Sequence, residues 1–175
     1  MYKRQEQLLS LGEESLGLSD LGGAAQAFAH VLTMEPDNQK AIAGMARVYL
    51  AEGDAEQAAQ TIAMAPADST EPTVQAVRAQ LSLASAAPTG ATAELEARLA
   101  ANKNDHEARF DLAQALASAG DLKGAVDHLL TIVQAEREWN DQAARKQLLT
   151  VFEAAGPNSE IARDGRRRLS SILFS

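Results

Sequence analysis

Residues 5–38, QEQLLSLGEESLGLSDLGGAAQAFAHVLTMEPDN, contain the pattern that decides the fold of this chain. Six of these positions recur further on at one constant spacing: Leu8, Leu11, Asp20, Ala24, Phe28 and Val31 correspond to Ile42, Met45, Asp54, Ala58, Ile62 and Ala65. In both copies the apolar residues follow helical spacing on either side of the Asp. A helix pair that returns at a fixed period predicts a stack of such pairs, in which neighbours bury one another's apolar faces.

Further copies follow along the chain. A later copy matches the second at close to twice this spacing, through Leu112, Ala113, Leu116, Gly120, Asp121, Ala125, Leu129 and Ile132. One more copy must therefore lie between them, with Val74, Val77 and Leu81 in its first helix and Leu95 and Leu99 in its second. Within that copy, Ala87-Pro88-Thr89-Gly90 predicts a loose turn, because proline and glycine both interrupt helices.

The spacing between consecutive copies, about 34 residues, is typical of the tetratricopeptide repeat. The sequence therefore predicts an all-α fold without strands, a right-handed superhelix of about ten antiparallel helices. The predicted repeats cover residues 5–38, 39–71, 72–105 and 106–139, and a terminal helix pair at 140–175 is expected to cap the array. The helices of that pair are expected at about 141–155 and 159–173.

Turn residues and small residues agree with this arrangement. Ser19-Asp20, Gly53-Asp54 and Gly120-Asp121 each combine a helix stop with an N-cap acceptor for the next helix. Asn104-Asp105 is expected to do the same before the fourth repeat. Alanines recur where the second helix of a repeat crosses the first, at Ala24, Ala58 and Ala125, and a larger side chain there would push the helix axes apart.

Composition narrows the class of function. The chain has 175 residues with a formal net charge of −8, which argues against nucleic-acid binding. The charge is uneven, because residues 141–175 hold six Lys/Arg against four Asp/Glu. Cysteine is absent, no apolar run is long enough for a membrane span, and the first six residues are too polar for a secretory signal. We therefore expect a cytoplasmic protein without thiol chemistry.

No catalytic or metal-binding signature stands out. His30, His106 and His128 are the only histidines, and no two have the close helical spacing of a zinc site. A phosphate-binding glycine loop and a nucleophile–base motif are also missing. The expectation is a protein that is not an enzyme, with no cofactor and no metal.

The inner groove of such an array is lined by the first helix of each repeat. Groove positions in the first two repeats are Glu6, Leu9, Glu13, Leu16, Lys40, Ala43, Arg47 and Leu50, and Phe110 and Gln114 occupy them in the fourth. The predicted partner-binding residues are Leu9, Leu16, Lys40, Arg47, Leu50, Phe110 and Gln114. Lys40 and Arg47 alone make a weak clamp for a carboxylate, so the groove suits apolar segments better. The alternative is that its apolar residues simply pack between repeats.

The C-terminal helix is a second candidate surface. Ile161, Leu169, Ile172 and Leu173 form one apolar stripe, while Arg163, Arg166, Arg167, Arg168 and Phe174 occupy the other faces and the tip. This helix is expected to cap the array, to dock a large acidic partner through the arginines and Phe174, or to do both. The single tryptophan, Trp139, is expected to seal a junction between helices rather than to anchor a partner.

Three blocks of sequence resemble one particular protein family. They are residues 106–113 with 120–121 and 125–130, residues 139–153, and the ending Arg166-Arg167-Arg168-Leu169-Ser170-Ser171-Ile172-Leu173-Phe174. Their sequence and order resemble the bacterial thioredoxin–tetratricopeptide fusion co-chaperones, known as chaperedoxins or the YbbN-like family. Family members carry an N-terminal thioredoxin domain that this chain lacks, so redox activity does not carry over. The resemblance implies that the chain is a piece of such a fusion.

Through this resemblance, the expected function is that of a co-chaperone. Such a protein holds unfolding clients without ATP and hands them to the chaperonin and Hsp70. The alternative is a static scaffold that joins subunits of a cell-envelope or secretion assembly. In both cases the expected partners are proteins, and self-association stays open.

Overall fold

Ten α-helices account for most of the chain in this computed structural model, which describes residues 2–86 and 92–175. They are α1 (Tyr2–Gly17), α2 (Leu21–Met34), α3 (Gln39–Glu52), α4 (Ala55–Ile62), α5 (Pro72–Ser85), α6 (Thr92–Ala101), α7 (His106–Ser118), α8 (Leu122–Ala135), α9 (Trp139–Ala155) and α10 (Glu160–Phe174). The described residues contain no strand. The predicted all-α fold and its number of helices are confirmed, whereas the turn predicted at 87–90 lies outside the described residues.

Aspartates begin the second helix of three helix pairs, as the sequence predicts. The carboxylates of Asp20, Asp54 and Asp121 accept hydrogen bonds from the backbone N–H of Gly23, Gln57 and Gly124 at 2.9–3.0 Å. Asp105 caps α7 in the same way, through the N–H of Ala108 at 2.9 Å. Each cap satisfies an N–H that the helix itself leaves free. Gly53 and Gly120 precede two of these caps with φ of 84° and 90°, which glycine adopts without the cost of a Cβ.

The chain divides into two compact units, residues 1–78 and 79–175. In the N-terminal unit, the buried ring of Phe28 on α2 lies between glycines of the two flanking helices. A Cβ added to Gly12 on α1 or to Gly44 on α3 would come within 2.6 or 2.5 Å of that ring. The absence of two side chains thus lets one aromatic ring join three helices. Leu11, which precedes Gly12, is 50 % exposed and lies outside this core.

The C-terminal unit uses a similar device. Phe152 on α9 is 1 % exposed, and a Cβ added to Gly165 of α10 would overlap its ring. Helix α10 packs against both α8 and α9. Its Ala162 and Leu169 belong to the core, and Ile161, Ile172 and Leu173 pack against it. The apolar stripe predicted for this helix therefore faces inward.

Helix α9 begins with an unusual backbone segment. Asn140, Asp141 and Gln142 have φ of 45°, 54° and 60°, in the left-handed region. Asn and Asp tolerate this region better than other non-glycine residues. The predicted start of α9 at residue 141 thus lies two residues inside an element that begins at Trp139.

Candidate functional site

The N-terminal unit contains an open cleft of about 800 Å³. It lies where α1, α3 and α5 present their N-terminal turns or the residues just before them, next to the loops that precede α3 and α5. Three groove residues expected from the sequence, Glu6, Leu9 and Lys40, line it together. The repeat explains their proximity, because Glu6 and Lys40 occupy the same position of consecutive repeats.

Most of the charge in the cleft is negative. Its lining carries five carboxylates: Glu6, Glu35, Asp37, Asp68 and Glu71. Lys40 is the one cationic residue among the lining side chains. Within residues 2–86 and 92–175, none of these six groups forms an ion pair, although seven N–O ion-pair contacts occur elsewhere. No ion pair in that part of the chain therefore neutralises these charges, although the Glu35 carboxylate also accepts hydrogen bonds from Asn38 and Gln5.

Hydrogen bonds hold the walls of the cleft in place. Arg78 on α5 donates to the carbonyl oxygens of Ala65, Pro66 and Ala67 at 2.9–3.2 Å and so fixes the loop after α4. Ser69, in the same loop, donates to Gln39 Oε1 at 2.5 Å. These bonds join the loop to α5 and to the start of α3.

The loop between α2 and α3 is fixed through Glu35. Its Oε2 accepts from Asn38 Nδ2 at 2.8 Å and from Gln5 Nε2 at 3.3 Å. Asn38 also caps α3 by accepting from the N–H of Ala41 at 3.0 Å. The carboxylate therefore connects the first helix to the loop before the third, and the cleft exists before any partner arrives.

The remaining groove residues of this unit have other roles. Arg47 Nη1 donates to Glu13 Oε1 and Oε2 at 2.8 and 2.7 Å, so its charge is compensated within the chain. Leu9 and Leu16 pack against the core cluster around Phe28 and Val31, and Leu50 is half-buried. Leu9 and Leu16 therefore pack between helices, which is the alternative to partner binding that the sequence left open. Leu9 also lines the cleft.

In the C-terminal unit, the predicted groove residue Phe110 lies against Trp139. Their ring centroids are 5.4 Å apart, and the His106 ring also meets Trp139, at 6.3 Å. Both Phe110 and Trp139 pack against the core of this unit. Trp139 thus seals the junction between α7 and α9, as expected. Gln114, also on α7, is half-buried.

The arginines of α10 are largely engaged within the chain. Arg168 Nη1 lies 2.6 Å from Asp127 Oδ1 on α8, and Arg167 Nη2 lies 2.5 Å from Asp164 Oδ1. Arg166 donates to the carbonyl oxygen of Pro157 at 2.6 Å, with its guanidinium 5.6 Å from the centroid of the Phe152 ring.

Much of this surface is nevertheless exposed, including 78 % of the Arg167 side chain. Arg163 is exposed, and Phe174 is 86 % exposed at the helix tip. Arg166, Arg167 and Arg168 thus form contacts within the chain, whereas Arg163 and Phe174 are exposed to solvent.

The histidines occupy separate environments. Burial lowers the pKa of His128 below its usual 6.5, and the nearby Arg109 cation lowers it further. Arg109 Nη1 is 3.4 Å from His128 Nδ1, and its Nη2 donates to the carbonyl oxygen of Lys103 at 2.8 Å. His106 Nδ1 and Arg109 Nε are buried without a hydrogen-bond partner in the part of the chain that the structure describes.

In the same part, no group of three or more His, Cys, Asp or Glu side chains could hold a metal ion.

Sequence reasoning missed the loop half of the cleft. Glu35, Asp37, Asp68, Ser69 and Glu71 are not first-helix residues, so the groove prediction passed over them. The repeat spacing could have indicated them, because Glu35 and Ser69 occupy equivalent positions of consecutive repeats, and so do Asp37 and Glu71. Equivalent positions of consecutive repeats lie side by side, which brings these loop residues to one place.

Among the described residues, no helix is long and apolar enough to cross a membrane. Two family models, both described as tetratricopeptide repeat, match residues 85–174 and 15–81. A search of curated proteins found no match. None of these findings links the chain to the thioredoxin–tetratricopeptide co-chaperones, so that resemblance stays a prediction.

Solved structures also resemble this chain. One is a domain of a protein of unknown function from Vibrio parahaemolyticus, 26 % identical, covering 97 % of this chain and 99 % of its own, with a TM-score of 0.46. A crystal structure of MamA is 15 % identical, covers 99 % of this chain and 92 % of its own, and has a TM-score of 0.45. A second MamA structure is 15 % identical, covers 93 % and 92 %, and has a TM-score of 0.40.

Proposed function

Because the chain belongs to the tetratricopeptide repeat family, we propose that it binds a partner protein by holding an extended segment of that partner in the cleft of its N-terminal unit. Tetratricopeptide repeats imply a protein-interaction scaffold, and proteins built from them are typically not enzymes. The observation that carries the proposal is the convergence of Glu6, Leu9 and Lys40 with two loops around a space of about 800 Å³. In this proposal the repeats keep the bounds predicted from the sequence, with α9 and α10 as the terminal pair.

The cleft has the properties that binding a flexible segment requires. Its volume lies in the range of about 300–1,000 Å³ that is usual for ligand sites. Arg78, Ser69 and Glu35 fix its walls through the hydrogen bonds described above. A preformed site reduces the ordering cost to that of the partner segment, which supports reversible binding.

Site-specific photocrosslinking tests this proposal. A photoreactive residue is placed at Lys40 in the cleft, and a control at Glu56, which is exposed on α4 of the same unit and does not line the cleft. Crosslinks to one defined peptide of a partner from position 40 and not from position 56 are expected. The purified segment must then bind the purified chain. Equal crosslinking from both positions would count against the cleft.

A second candidate function is client holding by a co-chaperone in the bacterial cytoplasm. The resemblance of the three sequence blocks between residues 106 and 174 supports it, together with the exposed Phe174 and Arg163 on α10. In this role the chain would bind exposed apolar segments by mass action and pass them to chaperonin and Hsp70. The packing of Leu9, Leu16 and Phe110 into cores leaves less apolar groove for clients than the sequence suggests.

Light scattering with an aggregating client tests the second candidate. Suppression at stoichiometric amounts, lost in a Phe174→Ser variant, is the expected result. A pull-down from bacterial lysate then separates it from the static scaffold: chaperonin and Hsp70 indicate a co-chaperone, whereas one stoichiometric partner indicates a scaffold. Unchanged aggregation at equal concentrations would contradict client holding by this chain.

A further inference from the structure

We propose that the cleft of the N-terminal unit selects a cationic segment, an extended stretch of a partner protein that carries several Arg or Lys residues. This inference rests on the proposed function and adds the chemistry of the partner. It begins from the five carboxylates of the lining, which face a single lysine and have no ion-pair partner within residues 2–86 and 92–175.

The helix ends near the cleft do not reverse this preference. The N-termini of α1, α3 and α5 each contribute a partial charge of about +0.5. Together with Lys40, they compensate about half of the negative charge on Glu6, Glu35, Asp37, Asp68 and Glu71. The field in the cleft is therefore negative. An acidic peptide is repelled, and a cationic segment is attracted before contact.

The cleft also has room for the aliphatic parts of Arg and Lys. Leu9, Pro66 and Pro72 line it between the carboxylates, and Leu9 is half-buried on the Phe28 cluster. Long cationic side chains cover apolar surface with their methylene stems while their charged ends reach a partner group. A guanidinium or ammonium group could therefore reach a carboxylate while its stem lies on Leu9 or a proline.

The positions of the carboxylates favour an extended segment. Asp37 and Asp68 belong to loops of successive repeats, and Glu71 and Glu6 belong to the helix starts beside them. Charges spread over two consecutive repeats can pair with several side chains of one extended stretch. The loops are already ordered by Arg78 and Glu35, so the charged contacts need little rearrangement of the cleft.

The test uses four labelled nine-residue peptides and fluorescence polarisation at low salt. One alternates Arg and Gly, one Glu and Gly, one Leu and Gly with a neutral polar tail, and one Ser and Gly. The cleft variant is Asp37→Asn with Asp68→Asn, two exposed loop residues. The matched control is Glu52→Gln with Glu56→Gln, which changes net charge equally on the same unit outside the cleft.

Only the Arg-Gly peptide is expected to bind, with affinity about tenfold weaker for the cleft variant and unchanged for the control. The affinity should also fall steeply with added salt, since these contacts are exposed to solvent. Circular dichroism melts of both variants report whether they remain folded.

Equal loss in both variants, or equal binding of the Glu-Gly peptide, overturns the cationic preference. Binding of only the Leu-Gly or Ser-Gly peptide in the cleft also overturns it, while the proposed function survives. If no peptide binds at millimolar concentration, the proposed function fails with it. Binding of a second, labelled copy of this chain, lost in the cleft variant and not displaced by the Arg-Gly peptide, would replace the foreign partner by self-association and overturn the inference.

Discussion

Arg47 and Glu13 form a charged pair between equivalent positions of consecutive repeats. They are 34 residues apart in sequence, and Arg47 Nη1 lies 2.7 Å from one carboxylate oxygen and 2.8 Å from the other. The pair joins α1 to α3 at the surface, with 34 % and 48 % of the two side chains exposed. A cation that appears free in one repeat is thus compensated by the same position of the repeat before it.

Because both side chains are partly exposed, the pair is expected to contribute little to stability. A double-mutant cycle with Arg47→Ala and Glu13→Ala should give a coupling energy below about 1 kcal/mol, since solvent screens such pairs. Urea unfolding of the four proteins measures it, and repeating the cycle at about 1 M NaCl should reduce it further. A coupling well above about 1 kcal/mol that is insensitive to salt would contradict this interpretation.

Gly44→Ala is expected to destabilise the N-terminal unit by about 1–3 kcal/mol. The new Cβ would lie 2.5 Å from the buried ring of Phe28, and overpacking of that kind outweighs the helical gain of up to about 1 kcal/mol from replacing glycine by alanine. Urea unfolding followed by circular dichroism measures the change.

The control for Gly44 is Gly17→Ala, at the end of α1, where an added Cβ meets nothing within 4 Å. This variant should be neutral or slightly stabilised. In a Phe28→Leu background, Gly44→Ala should lower the free energy of unfolding by less than it does in the original protein, because the smaller side chain leaves room for the added Cβ. If Gly44→Ala is as stable as Gly17→Ala, Phe28 is not confined as the structure indicates.

Acidification below pH 6.5 is expected to weaken the C-terminal unit through His128. Its pKa is lowered by burial first and by Arg109 second, although the carboxylates of Asp127, Asp121 and Glu96 act in the opposite direction. The folded state thus prefers the neutral ring. Its contribution is present above pH 6.5 and is lost as the pH falls through the lower folded value.

Urea unfolding between about pH 7.5 and 5 tests this dependence. In His128→Gln, the free energy of unfolding should fall less steeply as the pH drops below 6.5. The difference between the two proteins should stay below about 1 kcal/mol, because the His128 ring is only half-buried. His30→Gln, which changes an exposed ring on α2, serves as the control and should keep the slope. A slope that persists in His128→Gln would assign the effect to other groups.

Deleting residues 159–175 is expected to destabilise the whole C-terminal unit. The deletion uncovers Phe152 and removes Ala162 and Leu169 from the core. A lower melting temperature together with lost binding would therefore say little about α10 as a docking surface. Arg163→Gln with Arg167→Gln is the cleaner variant, since both side chains are exposed. It should retain the melting temperature within about 2 °C in a thermal scan, whereas the deletion should lower it clearly.

The sequence predicts those features of this fold that local chemistry determines. Short-range hydrogen bonds form the caps at Asp20, Asp54, Asp105 and Asp121, each between the aspartate and the backbone N–H three residues later. The inward stripe of α10 follows from helical spacing in the same way.

The cleft depends instead on which loop residues of consecutive repeats meet. Asp37 and Glu71 are far apart in sequence, and their common role appears only when the period is applied to loops as well as to cores. Arg47 shows the related difficulty for charge. Its compensation by Glu13 requires the lateral alignment of two helices, which amphipathic patterning of a single helix does not reveal.

The ring of Phe28, held between Gly12 and Gly44, has a consequence for engineering longer versions of this protein. A second copy of residues 11–44, inserted after residue 44, has the length of one repeat and would bring Gly12, Phe28 and Gly44 together, so that each aromatic ring keeps both of its flanking glycines. A second copy of residues 5–38 would instead place Ser10 where Gly44 lies, because these two residues are 34 apart. The choice of the segment to duplicate, and not only its length, should therefore decide whether this protein tolerates an added repeat.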